Sequence, residues 1–151
     1  MEEEEPVQTS PWYTIDQKLI SAFGAATLDP DPMHIDPEWA RDKGPFGHTI
    51  AFGFLTMSLL TRMLHDASGI GWPINPGAEG YYLNYGFDRL RLITPVPVNA
   101  RVRGHFRQLE RVTDEKNRQR AKFGVEVEIE GQDRPALIAE WLSLWVPPPQ
   151  S

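Results

Sequence analysis

The chain has 151 residues, of which 40% are hydrophobic and 11% aromatic, so it is the size of one ordinary globular domain. Its net charge of -6 argues against a nucleic-acid backbone as the main partner, because phosphate binding needs clustered positive charge. The absence of cysteine excludes disulfides, thiolate catalysis and cysteine-ligated metal sites, and it fits a reducing compartment.

The two ends of the chain differ in composition from the rest. Met1 is followed by four glutamates, the opposite of the basic start of a signal peptide, and residues 1–11 lack apolar periodicity. We predict a disordered tail over residues 1–11, one domain over 12–147 and a second tail over 148–151. The longest uncharged run, 49–61, is too short to span a bilayer. We therefore expect a soluble cytoplasmic protein that does not bind membranes.

The first third of the chain carries two helix-start signals. Thr14 and Gln17 have the spacing of a capping box, and apolar residues then recur at helical spacing, which predicts a first helix ending near Gly24. Asp36 reads as the N-cap of a short second helix with Pro37 at its first position. The residues between these helices form a proline-stiffened loop.

The middle of the chain predicts a buried helix. From Thr49 to about His65 the residues leave almost no polar face until Arg62, which is typical of a helix buried on most sides. Such a helix needs a sheet or a partner wrapped around it.

The C-terminal half predicts that sheet. Apolar and polar residues alternate over 98–107 and 123–130, as in half-buried antiparallel strands. The segment 137–146 is apolar on both faces, so it is either a central strand or part of a subunit interface. A change of phase within 83–92 predicts a bulge near Asp88. The predicted fold class is α+β, with an antiparallel sheet wrapped around a long central helix.

A carboxylate and an imidazole lie five positions apart in the loop that precedes this helix. A carboxylate such as Asp29 can hold the imidazole of His34 in one tautomer while both contact a single water. The nearby helix start offers backbone N–H groups to a developing oxyanion. These are the parts needed to add water across a polarised double bond. Because a lone histidine is more often structural, the interpretation depends on the pairing.

The order of these residues resembles the MaoC-like dehydratases, also called R-specific enoyl-CoA hydratases, and closely their NodN-like subgroup. The motifs that carry the resemblance are Asp29, His34 and Asp36, then Pro45-Phe46-Gly47, Thr49-Ile50-Ala51, Gly53-Phe54-Leu55, the run from Asn84 to Arg91, and Pro95-Val96-Pro97-Val98. The resemblance spans roughly residues 12–146. It implies a hot-dog fold and a homodimer that needs no metal or cofactor.

The resemblance also implies a reaction. Asp29 and His34 would activate a water that attacks C3 of a trans-2-enoyl thioester, giving an (R)-3-hydroxyacyl thioester in a step that is reversible. The substrate would be an acyl-CoA or an acyl-carrier thioester of fatty acid metabolism. The backbone amide of Gly53 would stabilise the thioester oxygen, although close packing of the backbone also explains this glycine.

Two positions depart from the family pattern. Asp31 stands where the family usually has asparagine, and it is either a second carboxylate that raises the pKa of Asp29 or a turn residue before Pro32. Phe52 stands where the family usually has histidine, which removes a polar group near the site. Thr61 is a further candidate for contact with the thioester, and packing of small residues explains it equally well.

Two other functions are compatible with the sequence. A hot-dog thioesterase shares the fold but attacks the carbonyl carbon of the thioester. A non-catalytic subunit that binds acyl thioesters would explain why Phe52 replaces a polar residue. Turnover of enoyl-CoA, release of free thiol, or binding without turnover distinguishes the three.

Overall fold

The computed structural model describes residues 5–150, which form short helices and a single antiparallel sheet with strands from both ends of the chain. In chain order the elements are β1 (Gln8–Thr9), β2 (Tyr13–Thr14), α1 (Gln17–Thr27), α2 (Pro32–Ile35), α3 (Pro37–Asp42), α4 (Gly53–Ser58), α5 (Leu60–Ser68), α6 (Pro76–Glu79), β3 (Tyr81–Leu92), β4 (Arg101–Thr113), β5 (Gln119–Ile129) and β6 (Leu137–Val146). The strand order is β1-β4-β5-β6-β3, and β2 also pairs with β4. This is the predicted α+β architecture.

The N-terminal segment is part of the sheet, which corrects the prediction of a disordered tail over residues 1–11. Gln8 and Thr9 lie opposite Phe106 and His105 of β4. Ser10 is buried, and its backbone N–H donates to the carbonyl of Gly104 at 2.9 Å. Residues 1–4 lie outside the described residues. At the other end β6 stops at residue 146, before the prolines; residues 147–150 have no regular structure, and residue 151 also lies outside.

Helix α1 begins and ends later than the sequence predicted. Its N-cap is Asp16, whose carboxylate accepts a hydrogen bond from the Leu19 amide at 2.8 Å. The predicted cap, Thr14, instead belongs to β2. Gly24 lies inside the helix and is buried, and a Cβ there would come within 3.0 Å of the Asp29 carbonyl. This glycine allows close approach of the site loop and does not end the helix.

The central helix is shorter at its start than predicted and is interrupted once. The segment 49–52 is extended, because Ile50 bridges to Pro97 and the Ala51 amide donates to the Val96 carbonyl at 2.8 Å. Helices α4 and α5 then follow one another with Leu59 between them. The buried side of the pair packs on the sheet, but Phe54 is 68% exposed, so the helix is buried on fewer sides than the sequence predicted.

The inner face of the sheet carries most of the core. The alternation predicted for β4 and β5 is confirmed, since its apolar members are buried; these include Val102, Phe106, Val125, Val127 and Ile129. Strand β6 lies between β5 and β3, which confirms the prediction of a central strand.

Strand β3 lies at the free edge of the sheet and is irregular. Its register with β6 shifts between Phe87 and Arg89, which confirms the predicted bulge near Asp88. A second shift lies between Asn84 and Gly86, and the sequence did not reveal it. Gly86 has φ +148, a conformation that residues with a side chain rarely adopt. The two bulges bend this edge.

Candidate active site

The short helix α2 carries the candidate histidine. Pro32 occupies its first turn, and Asp31 is the N-cap, with a carboxylate that accepts from the Met33 amide at 2.9 Å. The arrangement supports the interpretation of Asp31 as a turn residue, because its carboxylate bonds to a backbone amide two residues further along. His34 follows in the same turn and is half-buried.

The His34 ring is held in one tautomer by the backbone. Its Nδ1 lies 2.8 Å from the carbonyl oxygen of Ile50. Because a carbonyl only accepts, Nδ1 must carry the proton, and in the neutral ring Nε2 is left as an acceptor. The sequence predicted this function for the carboxylate of Asp29, and that prediction is wrong. The Ile50 carbonyl was not foreseen, since nothing in the sequence indicates a backbone partner sixteen residues away.

A half-buried chain of polar side chains fixes the loop behind the histidine. The Gln17 Nε2 donates to the carbonyl of His34 at 2.8 Å. The Thr49 hydroxyl in turn donates to Gln17 Oε1 at 2.5 Å, and Thr49 is fully buried. These two hydrogen bonds connect α1, α2 and the extended segment before α4. Neither Gln17 nor Thr49 was predicted as a site residue.

Phe52 lies directly against the candidate histidine. Its ring stacks on the imidazole of His34 with centroids 4.0 Å apart. It also packs against the ring of Phe23, with centroids 5.3 Å apart. Phe52 is only 4% exposed. The aromatic side chain therefore supports one face of the imidazole and excludes water from that face.

Asp29 lies in the loop that leads into α2, and its side chain is exposed. Its Oδ1 accepts from the Asp31 amide at 3.1 Å, and its own amide donates to the Gly24 carbonyl at 2.9 Å. Within residues 5–150 no hydrogen bond joins the carboxylate to His34. Both side chains thus belong to one ordered segment, in which each is oriented by separate backbone contacts.

Gly53 is the first residue of α4. Its N-cap, Phe52, makes no side-chain hydrogen bond to the helix, so the first-turn amides receive no cap from that residue. A Cβ at Gly53 would overlap the Cδ1 atom of Leu92 on β3. The structure therefore provides a packing reason for this glycine, alongside uncapped amides at a helix start.

Thr61 lies apart from the other site residues. It is on α5, and its hydroxyl lies 3.5 Å from the Nδ2 atom of Asn84 on β3. Both residues line a cavity of about 730 Å³ between α5 and the sheet. The lining of this cavity does not include Asp29, His34 or Gly53. Its tryptophans, which were not predicted as site residues, come from distant parts of the chain.

Residues 5–150 contain neither a metal-binding cluster nor a helix that could span a membrane. Among residues 5–150, no three histidine, aspartate or glutamate side chains converge as a metal site would require. None of the helices described there combines the length and apolar character needed to cross a bilayer.

Comparison with known proteins gives consistent matches. The model of the MaoC like domain family matches residues 1–130. Nodulation protein N of Rhizobium leguminosarum bv. viciae is 43% identical over 135 residues, 89% of this chain and 81% of that protein. The 3-hydroxyacyl-thioester dehydratase Z of Mycobacterium tuberculosis is 39% identical over 143 residues, 94% of this chain and 89% of that protein.

Solved structures match over nearly the whole chain. A MaoC-like dehydratase from Rhodospirillum rubrum superposes with a TM-score of 0.72 at 19% identity, covering 97% of this chain and 94% of the other. The (R)-hydratase from A. caviae involved in PHA biosynthesis gives a TM-score of 0.69 at 23% identity, covering 93% and 95%. At these identities the matches concern the fold, and they confirm the predicted hot-dog architecture.

Proposed function

Because this chain belongs to the MaoC-like domain family, we propose that it is a hydro-lyase that reversibly hydrates trans-2-enoyl-CoA, or a related acyl thioester, to the (R)-3-hydroxyacyl thioester. The observation that carries the proposal is the hydrogen bond between His34 Nδ1 and the Ile50 carbonyl at 2.8 Å. It leaves Nε2 of a neutral imidazole as an acceptor, which is the state a general base requires. The similarity to a 3-hydroxyacyl-thioester dehydratase adds support.

In this mechanism the water is bound between two acceptors. His34 Nε2 takes one proton from the water as the water oxygen attacks C3, and the carboxylate of Asp29 accepts a hydrogen bond from the other. The electron pair of the double bond moves toward the thioester carbonyl. The protonated His34 then gives its proton to C2, which completes the addition and restores the neutral imidazole. In the reverse direction the same groups remove the C2 proton and protonate the departing hydroxyl.

The thioester oxygen gains negative charge during the attack and needs fixed donors. The amide of Gly53 is suited to this role, because it lies at a helix start whose N-cap side chain makes no hydrogen bond. The absence of a side chain at this position is also what allows Leu92 to pack against the start of α4.

A homodimer is part of the proposal, with a revised physical basis. The sequence suggested an interface at residues 137–146, but β6 is covered on both edges by other strands. The longer edge strand is β3, with twelve residues, of which Leu83, Tyr85 and Leu92 are each about half exposed. A long apolar edge strand pairs readily with another strand. We therefore propose that two copies associate along β3 in the cytoplasm.

A second candidate is a subunit that binds acyl thioesters without turning them over. The observation that favours it is Phe52, which presents an apolar ring to His34 where the family pattern has a polar residue. The proposed enzyme and this alternative differ only in turnover.

The test is the ultraviolet absorbance of the conjugated enoyl thioester, followed with trans-2-enoyl-CoA substrates of several chain lengths. Loss of absorbance without release of thiol supports the hydratase. Thiol release indicates a thioesterase. Tight binding with unchanged absorbance indicates the binding subunit, and either of these two results overturns the proposal.

A further inference from the structure

The cavity of about 730 Å³ lies between α5 and the sheet, and its lining does not include the candidate histidine. Its volume is in the range of cavities that hold small ligands. Much of its wall is aromatic: Trp72, Tyr82, Phe123, Trp141 and Trp145 all line it. Trp72 is positioned by His65, whose ring stacks on it with centroids 3.7 Å apart. Such walls favour a bulky apolar ligand.

One part of the lining is positively charged. The Arg111 guanidinium is held by Gln108, whose Oε1 accepts from Nη2 at 2.7 Å and from Nε at 3.1 Å. Gln119 Oε1 lies 3.4 Å from Nη1. No carboxylate within residues 5–150 forms an ion pair with Arg111, and Glu5 is the one carboxylate among the lining residues described. Arg111 and the two glutamine amides therefore offer hydrogen-bond donors to a ligand.

The cavity lies along the same helical pair that begins at the candidate site. Gly53 opens α4, and Thr61, which lines the cavity, is eight residues further along. At 1.5 Å per residue this separation is about 12 Å, the scale of a medium to long acyl chain. An acyl group of that length, with its thioester at Gly53, would therefore reach the cavity at Thr61.

We propose that this cavity receives the far end of the substrate's acyl group, and that Arg111, Gln108 and Gln119 select acyl groups bearing a carboxylate or another oxygen acceptor at that end. The selection rests on the proposed function, since it assumes that the thioester is held at Gly53. A purely apolar acyl group would fill the aromatic part of the cavity but would leave the guanidinium without an anionic partner.

The test measures binding, so it does not depend on turnover. Dodecanoyl-CoA and its analogue with a carboxylate at the far end are titrated by calorimetry, with butyryl-CoA as a ligand too short to reach the cavity. The variants are Arg111→Gln, Ser143→Phe, which fills the cavity from β6, and Arg91→Gln as the control. Arg91 is exposed on β3 and does not line the cavity.

We expect the carboxylate analogue to bind wild type about tenfold more tightly than dodecanoyl-CoA, the effect of one hydrogen bond to a charged group. Arg111→Gln should reduce this preference to less than about twofold, and Arg91→Gln should keep it. Ser143→Phe should weaken both long ligands about tenfold and leave butyryl-CoA unchanged, which also shows that the variant is folded.

Equal affinities in wild type overturn the proposal, as does a preference that survives Arg111→Gln or long-chain binding that survives Ser143→Phe. Hydration of enoyl-CoA is assayed in parallel. Hydration without the carboxylate preference supports the hydratase and removes the selection by Arg111. The preference without hydration keeps the cavity assignment and removes the hydratase.

Discussion

The imidazole of His34 and the ring of Phe52 are stacked, with centroids 4.0 Å apart and planes inclined by 30°. The contact fixes one face of the imidazole, while the Ile50 carbonyl fixes its Nδ1 proton. Two contacts that are both formed by the segment before α4 therefore orient the ring. Phe52, which departs from the family pattern, therefore packs directly against the candidate histidine.

Removing either member of the proposed catalytic pair should abolish hydration. His34→Ala and Asp29→Asn are each expected to lower kcat by at least about 100-fold, the usual contribution of a positioned acid or base. The measurement is the decay of enoyl-CoA absorbance. His48→Ala is the matched control, because that histidine is exposed and its Nδ1 bonds only to the neighbouring Thr49 carbonyl. Activity retained in His34→Ala would remove this residue from the mechanism.

Two substitutions at Phe52 should separate its effect on stability from its effect on activity. Phe52→Ala leaves a cavity between Phe23 and His34, so its free energy of unfolding should fall by about 3–5 kcal/mol in urea titrations. Phe52→Leu fills most of that space but loses the stacking, at a cost near 1 kcal/mol. We expect Phe52→Leu to remain folded with reduced kcat and an unchanged KM. Full activity in this variant would show that the ring does not position the imidazole.

A methyl group at Gly53 should impair catalysis more than folding. The added Cβ meets only the tip of Leu92, which is half exposed and can move, so Gly53→Ala should lose about 1 kcal/mol or less. The same methyl narrows the approach to the amide, and kcat should drop at least tenfold, as on removal of an oxyanion donor. In the double variant with Leu92→Ala, stability should recover while activity stays low. Recovery of both would assign the glycine to packing alone.

A charge on the β3 edge should separate the dimer. Tyr85 is 58% exposed at the bulge of β3, and Tyr85→Lys should yield a monomer by light scattering at micromolar concentration, because lysine on an edge strand opposes pairing. Leu109→Lys, at a half-exposed position of β4, is the control and should remain dimeric. A wild-type monomer would contradict the proposed dimer directly.

Protonation of Glu128 in acid should weaken the contact between β1 and the sheet, because Glu128 contacts His105 and His105 contacts Thr9 of β1. Its carboxylate accepts from Arg103 Nε at 2.7 Å and lies 2.6 Å from His105 Nε2, while the Thr9 hydroxyl meets the other ring nitrogen of His105. The hydrogen bond from Arg103, followed by that from His105, lowers the pKa of Glu128 below its ordinary value of 4.5.

A carboxylate with a lowered folded pKa stabilises the protein above its ordinary pKa, and that stability is lost as pH falls through the folded value. Glu128→Gln should therefore be less stable than wild type near neutral pH, with the difference shrinking in acid. Urea unfolding from about pH 7 to about pH 3 measures this change. Glu126→Gln, on the same strand, is the comparison. A constant difference across the range would exclude the ionised carboxylate as the cause.

The sequence by itself determined most of the secondary structure and the candidate pair. Strand alternation fixed which faces of β4 and β5 are buried, because side chains of a strand point alternately to its two faces and apolar ones must leave water. The N-cap at Asp36 was also predictable, because a carboxylate followed by proline favours a helix start through contacts within the segment itself. Asp29 and His34 became candidates through the resemblance to the MaoC-like family, and the contacts that orient each of them could not be predicted.

Only the tertiary structure decided how these residues are oriented. The first helix is capped by Asp16 and starts at Gln17, because Thr14 pairs with β4. The central helix starts at Gly53, because the segment 49–52 bonds to residues 96–98. The tautomer of His34 depends on a carbonyl sixteen residues away. The aromatic cavity is lined by Trp72 from the loop after α5 and by Trp141 and Trp145 from β6. Local pattern cannot supply such contacts, because hydrogen bonds and packing between distant segments form only once the chain has folded.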